Sequence, residues 1–523
     1  MKKYRISSQV LFLLLFIFLF LRTTYDKNNI IAYPVKVFLD LDPFIFISTL
    51  FSLHGALHLL PLALFWSFLT ILVTLFLGRI FCGWICPLGT LNQWIGSFKK
   101  NPNPEPKTQN PRFLSYRFKY YLLIFLLTAA IFTLQLSGIF DPLSFLIRSI
   151  ALSIYPAFHS MILFIFDTFY AFDFQWMNRM VDPVYSSFKN SILFLSQPYY
   201  YQSIFIVLIF LTVLLLNLFQ KRFFCRYLCP LGACLGIFSS LSPIRIEIED
   251  NCNSCGRCLH DCQGGLNWDK EIGWRRSECL LCGNCIASCP TKAIQIHFSK
   301  IFSNKVLSPD LRRRAVLISL SSGIIAAPLL RISPTRKIFT PELIRPPGAL
   351  EEKDFLKRCV KCGECLKVCL TNGLQPALFE AGLEGIWSPR LVPQIGYCAY
   401  NCTLCGQVCP TGAIRRLSNK EKVELKIGLA FIDQGRCLPY AFQKNCIVCE
   451  EHCPTPKKAI WFNEKEITNR KGEGMRIKQP VVDPELCIGC GICEFKCPVK
   501  DIPAIRISST GETRSKLNQP LLI

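Results

Sequence analysis

Four thiols spaced Cys-x2-Cys-x2-Cys-x3-Cys leave a segment little choice but a tight loop around a group that binds sulfur, and this chain repeats that spacing. It occurs whole at Cys252, Cys255, Cys258 and Cys262, at Cys279, Cys282, Cys285 and Cys289, at Cys359, Cys362, Cys365 and Cys369, and at Cys487, Cys490, Cys493 and Cys497. Two further sets, Cys398, Cys402, Cys405, Cys409 and Cys437, Cys446, Cys449, Cys453, lengthen only the first gap. All six tetrads meet the demand of a 4Fe-4S cube for four thiolates around one small volume. Pro follows Cys289, Cys409, Cys453 and Cys497, where it suits the first turn of a helix, while Gln263 and Leu370 follow Cys262 and Cys369. Structural zinc also uses Cys-x2-Cys pairs but does not ordinarily repeat x2, x2, x3 with a closing Pro. Disulfides fit poorly, because so many closely spaced thiols suit clusters inserted before exposure to an oxidising compartment.

In two-cluster ferredoxins the fourth thiolate ligates the neighbouring cube. The spacing therefore predicts that Cys252, Cys255 and Cys258 share a cube with Cys289, and Cys279, Cys282 and Cys285 with Cys262. Among the last four tetrads, the outer two are expected to exchange fourth ligands, and the inner two likewise.

The remaining sequence is too apolar for a soluble protein. With 523 residues, 42 Phe and 51% hydrophobic content, several domains and a membrane part are expected. The formal charge is +23, but each oxidised cube with its thiolates carries about −2, so six reduce the sum to about +11. No basic segment follows an RNA-binding or helix-turn-helix pattern, and no nucleic-acid partner is expected. Neither a Gly-rich dinucleotide fingerprint nor a nucleophile constellation stands out, which argues against NAD chemistry or hydrolysis. No Cys-x2-Cys-His is present for covalent haem.

Residues 1–240 read as a helical membrane module. An apolar run from Ser7 to Leu21 follows Lys2, Lys3 and Arg5, lacks a small-residue cleavage site, and reads as an anchoring helix. Further spans are expected over 55–78, 120–139 and 199–220, giving four. The segments after the second and fourth spans are rich in Lys and Arg, so they and the N-terminus belong in the cytoplasm. Ser149–Phe166, interrupted by Pro156 and His159, reads as an interfacial or re-entrant element. The module is an internal duplication. Leu41-Asp42-Pro43-Phe44 precedes Arg79-Ile80-Phe81-Cys82-Gly83-Trp84-Ile85-Cys86-Pro87, and Phe140-Asp141-Pro142-Leu143 precedes Arg222-Phe223-Phe224-Cys225-Arg226-Tyr227-Leu228-Cys229-Pro230. Each half starts outside at Asp-Pro and ends inside at Cys-Pro, a parallel repeat.

Cys82 and Cys86, like Cys225 and Cys229, stand four apart on one helical face before a Pro. If the halves pack as repeats, four thiols meet and supply a metal site or a redox-active dithiol; the plainer reading is small buried residues at a helix end. Cys234 has no evident partner. His54 and His58 would suit a quinol site or a haem, or simply fill the membrane interface.

Residues 241–300 form a two-cluster ferredoxin-like α+β domain. In the linker, 301–340, Arg312-Arg313-Arg314 runs into uncharged Ile318–Leu330. Two Arg before a modest apolar stretch suit a twin-arginine export signal, and the same stretch suits a fifth span crossing outward. Residues 341–510 form an α+β four-cluster domain, and 511–523 a loose tail.

With these residues in view, 1–300 resembles the membrane ferredoxin NapH of periplasmic nitrate reductase systems and its NosR-family relatives. From about 311 onward, the Arg313-Arg314 pair, Arg345-Pro346-Pro347-Gly348-Ala349-Leu350 and four tetrads resemble NapG. The resemblance implies electron transfer from membrane quinol toward an exported oxidoreductase or its cytochrome subunit. It places the two-cluster domain in the cytoplasm and the four-cluster domain in the periplasm, on a bacterial inner membrane. Joining both in one polypeptide departs from that pattern. Two other readings are a maturation or regulatory protein of a metalloenzyme, as in the NosR family, and a wholly cytoplasmic polyferredoxin linking soluble ferredoxin to quinone.

Overall fold

The computed structural model describes residues 2–25, 29–54, 61–98, 115–172, 179–186, 198–265, 275–298, 309, 311–331, 341–468, 474–515 and 518–519. Two compact units emerge, and neither follows the linear order of the chain. The first comprises Met1–Arg22, Pro34–Ser149 and Ile204–Leu329, and the second Thr23–Tyr33, Ile150–Ser203 and Leu330–Ile523.

The first unit is built from helices α1 (Lys2–Arg22), α2 (Pro43–Ser52), α3 (Pro61–Leu77), α4 (Pro87–Ser97) and α5 (Phe118–Ile131), with the first turns of α6 (Pro142–Ala171), then α7 (Ser203–Phe219) and α8 (Pro230–Ser239). The duplicated motifs explain where the short helices begin. Asp42 caps α2 by accepting from the N–H groups of Phe44 (2.8 Å) and Ile45 (3.2 Å). Asp141 caps α6 in the same way, from Leu143 (3.1 Å) and Ser144 (2.7 Å). Pro43 and Pro142 fill the first helical position, where the missing N–H costs nothing. Likewise Cys86 and Cys229 stand extended just before Pro87 and Pro230. These prolines therefore open helices rather than merely closing a turn, and Cys82 and Cys86 do not share one helical face: Cys82 lies on a π-helical turn, Phe81–Ile85, and Cys86 caps α4. The halves interlock, since α2 packs on α8 and α4 on the first turns of α6.

Among the described residues, three helices are long and apolar enough to cross a membrane: α1, α6 and, after the two-cluster domain, α9 (Arg313–Arg331). Among the described residues the expected spans near 55–78, 120–139 and 199–220 form apolar helices of 17, 14 and 17 residues, with 55–60 of the first lying outside the described residues. Ser149–Phe166 departs from its expectation, because it continues α6 without a break. The π-helical turn Ile150–Ile154 precedes a segment that begins at Tyr155 with Pro156 in its first turn, so the proline's missing donor is absorbed there. Helix α9 packs through Ser319, Gly323 and Ala327, one small residue per turn. A Cβ on Gly323 would meet Thr128 Cβ at 2.8 Å and the Phe125 carbonyl at 2.9 Å, so the backbones of α9 and α5 approach closely. Leu317, Ile318, Ile325 and Leu329 remain exposed on it.

The two-cluster domain is closed by an antiparallel pair, β1 (Ile244–Ile248) and β2 (Ile294–Phe298), in register Ile244↔Phe298 to Ile248↔Ile294. Ile246, Leu281, Cys285 and Ile294 form its core.

In the second unit the same plan appears twice more. Gly348–Leu350 runs antiparallel to Ala413–Arg415, through Leu350 N–H to Ala413 O (3.1 Å) and Arg415 N–H to Gly348 O (2.8 Å). The short pair β3 (Leu374–Pro376) and β4 (Pro389–Leu391) lies between those ends. Next, β5 (Leu429–Ile432) pairs with β8 (Ile505–Ser508), enclosing the hairpin of β6 (Ile460–Thr468) and β7 (Gly474–Val482). Thr23–Tyr33, the segment that leaves α1, also packs here: Ile31 joins Val368, Leu404 and Val408, and Lys367 Nζ donates to Thr23 O at 2.6 Å.

Candidate iron-sulfur sites

Each unmodified tetrad makes the same loop. The residues on both sides of the second cysteine take left-handed backbone: Ser254 and Gly256, Leu281 and Gly283, Lys361 and Gly363, Gly489 and Gly491. Such a path turns three thiols inward, and glycine after the cysteine takes it without a Cβ penalty. The tetrads with a lengthened first gap do without the left-handed residues, yet Leu404–Gln407 and Val448–Glu451 form the same short helix around the third cysteine as in the others.

Four cavities in the second unit are each lined by four cysteines. Cys359, Cys362 and Cys365 line one with Cys409, and Cys398, Cys402 and Cys405 another with Cys369. Cys437, Cys446 and Cys449 line a third with Cys497, and Cys487, Cys490 and Cys493 a fourth with Cys453. In each cavity the fourth cysteine thus comes from the neighbouring tetrad, an arrangement that departs from the expected outer-with-outer and inner-with-inner pairing. The reason is topological: each neighbouring pair is closed by its own strand ladder, Gly348–Leu350 with Ala413–Arg415 or β5 with β8, so its fourth cysteine returns to the partner loop. The Cys398 N–H donates to Cys490 O at 2.8 Å, which joins the second of these cavities to the fourth. In the two-cluster domain Cys285 interacts electrostatically with Cys279, Cys282 and Cys262, the expected set. Cys258 interacts with Cys252 and Cys255, and Cys289 packs against the same core as Cys258.

These groups fit a cluster rather than one ion. Among the described residues no three His, Cys, Asp or Glu converge tightly enough for a single metal ion, while a cube with iron at its corners holds its thiolates apart. Burial pushes the Cys359 thiol up to about 11 and those of Cys402, Cys449 and Cys490 up to about 12. Iron must therefore displace protons when these sites load.

Sequence reasoning missed a donor that recurs two residues beyond the fourth cysteine. The hydroxyls of Thr291, Thr371, Thr411 and Thr455 stand 3.6, 3.9, 3.9 and 3.2 Å from the Sγ of Cys289, Cys369, Cys409 and Cys453. A hydroxyl beside a thiolate stabilises it and tunes a cluster, and at Cys289 it holds the thiol below its ordinary value. The signal was legible as Cys-x-Thr in four tetrads.

The first unit brings the membrane cysteines together. Cys86 interacts electrostatically with Cys225 and Cys82, and Cys229 with Cys225, Cys82 and Cys86. The Gly232 N–H donates to Cys229 Sγ (3.2 Å) and Asn92 Nδ2 to Cys225 Sγ (3.5 Å), with Asn92 held by Asn217 at 2.7 Å. Cys234 interacts with both Asp42 and Cys82. Asp42 and Asp141, the two duplicated caps, bring two buried carboxyls into mutual electrostatic range. His54 is exposed beyond the end of α2, and His58 lies outside the described residues. Arg79 and Arg222, which open the two motifs, are buried around these thiols, and Arg5, also buried, lies beside Arg222 and Cys282.

Comparison with known proteins agrees with the cluster assignment. A family described as a 4Fe-4S binding domain matches residues 59–104, 202–249 and 405–429, and a second of the same description matches 272–295 and 480–502. The methylamine utilization ferredoxin-type protein MauM of Paracoccus denitrificans is 34% identical over 200 residues, 37% of this chain and 82% of MauM. The ferredoxin-type protein NapG of Escherichia coli is 36% identical over 167 residues, 31% of this chain and 69% of NapG. The putative electron transport protein YccM of Escherichia coli is 30% identical over 262 residues, 49% of this chain and 60% of YccM. No solved structure matches. With its thiol-lined cavities and these relatives, the chain belongs to the ferredoxin-type family of MauM and NapG and is an iron-sulfur electron-transfer protein.

Proposed function

We propose that this chain is a membrane-bound carrier that moves electrons between the quinol pool and a respiratory oxidoreductase through six 4Fe-4S clusters. The observation that carries the reading is the set of cavities in which three cysteines of one tetrad meet the fourth of its neighbour, the arrangement that two-cluster ferredoxins use. One-electron transfer is the chemistry such clusters supply. The chain contributes close spacing, apolar walls and hydroxyl donors at the sulfurs.

The membrane placement rests on α1, α6 and α9 and on their exposed apolar faces. In this reading the two-cluster domain is cytoplasmic and the four-cluster domain periplasmic on an inner membrane. The partner class stays open between oxidoreductases, because one relative is named for methylamine utilization and another belongs to the resemblance with nitrate reductase systems.

The test is anaerobic purification of the full chain in detergent, followed by addition of a quinol analogue while the visible absorbance of the clusters is recorded. Bleaching by quinol supports the reading, and clusters reducible by dithionite but inert to every quinol tried would sink it. A reporter active only outside the cytoplasm, fused after Ile523, tests the sidedness; a silent fusion would return the four-cluster domain to the cytoplasm.

A further inference from the structure

We infer that Cys82, Cys86, Cys225 and Cys229 together ligate a further iron-sulfur cluster, bridging the two repeats of the membrane module beside the two-cluster domain. It goes beyond the six tetrads and does not depend on which partner or quinone the chain serves.

The first observation is convergence. Neither repeat supplies more than two of these thiols, and the interlocked packing brings all four into mutual electrostatic range. The arginine that opens each motif crosses to the other repeat. Arg222 Nη1 donates to Cys82 O at 2.9 Å, and a Cβ on Gly232 would stand 2.8 Å from Arg79 Nη2 and 3.3 Å from Cys229 Sγ. Gly232 leaves room for the opposite guanidinium, and Gly89 for the Cys82 carbonyl that Arg222 binds, 2.9 Å from where its Cβ would stand.

The second observation is charge. Arg5, Arg79 and Arg222 are 1, 2 and 0% exposed, and the Nε of each finds no acceptor. Among the described residues the ion pairs here run to a single acid, Glu278, which Arg79 (3.5 Å) shares with fully buried Lys119 (2.5 Å). Arg79, Arg222 and Lys119 thus have one carboxylate among them, an excess of two positive charges in a dry interior, while Arg5, beside Arg222, is directed to Cys282 of the neighbouring cube. Isolated buried charge is strongly disfavoured unless an anion accompanies it, and four neutral thiols are no such anion. An oxidised cluster held by four thiolates carries about −2 and supplies one at the place the guanidinium groups surround; Arg79 Nη2 lies 4.0 Å from Cys82 Sγ. The cube expected at Cys262, Cys279, Cys282 and Cys285 supplies the rest.

The third observation is what this site adjoins. Trp84 Nε1, two residues after Cys82, donates to Leu281 O at 3.2 Å, and Arg226, next to Cys225, donates to Cys262 O at 2.7 Å. Both motifs therefore grip the loops of one and the same cube. A cluster here would stand next in line to it and be the carrier at the membrane.

The test uses the full chain, purified anaerobically, with iron and acid-labile sulfide counted per chain. Replacing Cys86→Ser and Cys229→Ser together should remove the iron of one cluster and one set of spectroscopic signals, whereas Cys234→Ser should leave both unchanged. Unchanged iron in the double variant overturns the inference. Should that variant fail to accumulate, alkylation of the native wild-type protein decides. Protection of Cys82, Cys86, Cys225 and Cys229 that is released only by iron chelation supports the cluster; ready alkylation, or recovery of the four as disulfides, refutes it. Arg222→Met should lower the reduction potential of that one centre, because a cation beside it stabilises the reduced form; a potential that does not move counts against the charge argument.

Discussion

Arg345 opens the Arg-Pro-Pro-Gly stretch and is fully buried, yet it carries no cluster, and its ion pair is the clearest place to test how the four-cluster unit is held. Glu352 receives its fork at 2.6 and 3.1 Å and Arg514 at 3.0 Å. Arg345 also donates to Ser388 Oγ (2.9 Å) and Pro389 O (2.7 Å). Burial raises the Glu352 carboxyl, but Arg345 and Arg514 outweigh it and bring it from 4.5 down to about 2. At 1.36 kcal/mol per unit that fall corresponds to roughly 3.4 kcal/mol. A third of the side chain is exposed, so water screens part of it and about 2 kcal/mol is expected for Glu352→Gln. For a unit of this size that is about 4–8 °C in melting temperature. The assay is thermal loss of cluster absorbance in the full chain. Because the folded pKa is depressed, the stabilisation is complete above the unfolded value near 4.5 and disappears as pH falls through about 2. The difference between wild type and variant should therefore be constant from pH 5 to 8 and begin to shrink only below about 4.5. Equal melting at pH 7, or a difference that drifts between pH 5 and 8, would refute the reasoning.

Three further outcomes are expected. Cys409→Ser should remove the cluster of Cys359, Cys362 and Cys365, so adding Cys359→Ser costs no further iron while adding Cys398→Ser removes a second cluster, about eight irons in all; the opposite additivity would restore the discarded pairing. Glu278→Gln leaves Arg79 and Lys119 buried without their acid and should cost about 3–5 kcal/mol, much of it recovered by Glu278→Leu with Lys119→Met, as thermal bleaching would measure. Gly83→Ala places a Cβ 2.6 Å from Leu280 O and should cost about 1–3 kcal/mol, read as faster loss of the cube at Cys279, Cys282 and Cys285.

In the four unstretched tetrads, spacing alone determined that the first three cysteines act together, because a loop of seven residues confines its thiols whatever surrounds it. The duplication of Asp-Pro and Cys-Pro was equally plain, and both turned out to begin helices, since a cap and a first-turn proline are local devices. The fourth ligand was different. Cys369 and Cys409 join each other's loops only because Gly348–Leu350 pairs with Ala413–Arg415, a contact across more than sixty residues. The course of α6 was also hidden, because Pro156 breaks a helix in its interior and is harmless in its first turn, and only the preceding π-helical turn decides which applies. The cysteine loops and their cluster type are thus written in short-range spacing. The pairing of fourth ligands, the meeting of four thiols from two repeats and the arginines buried around them depend on long-range packing, where burial sets the charge balance and no local pattern reports it.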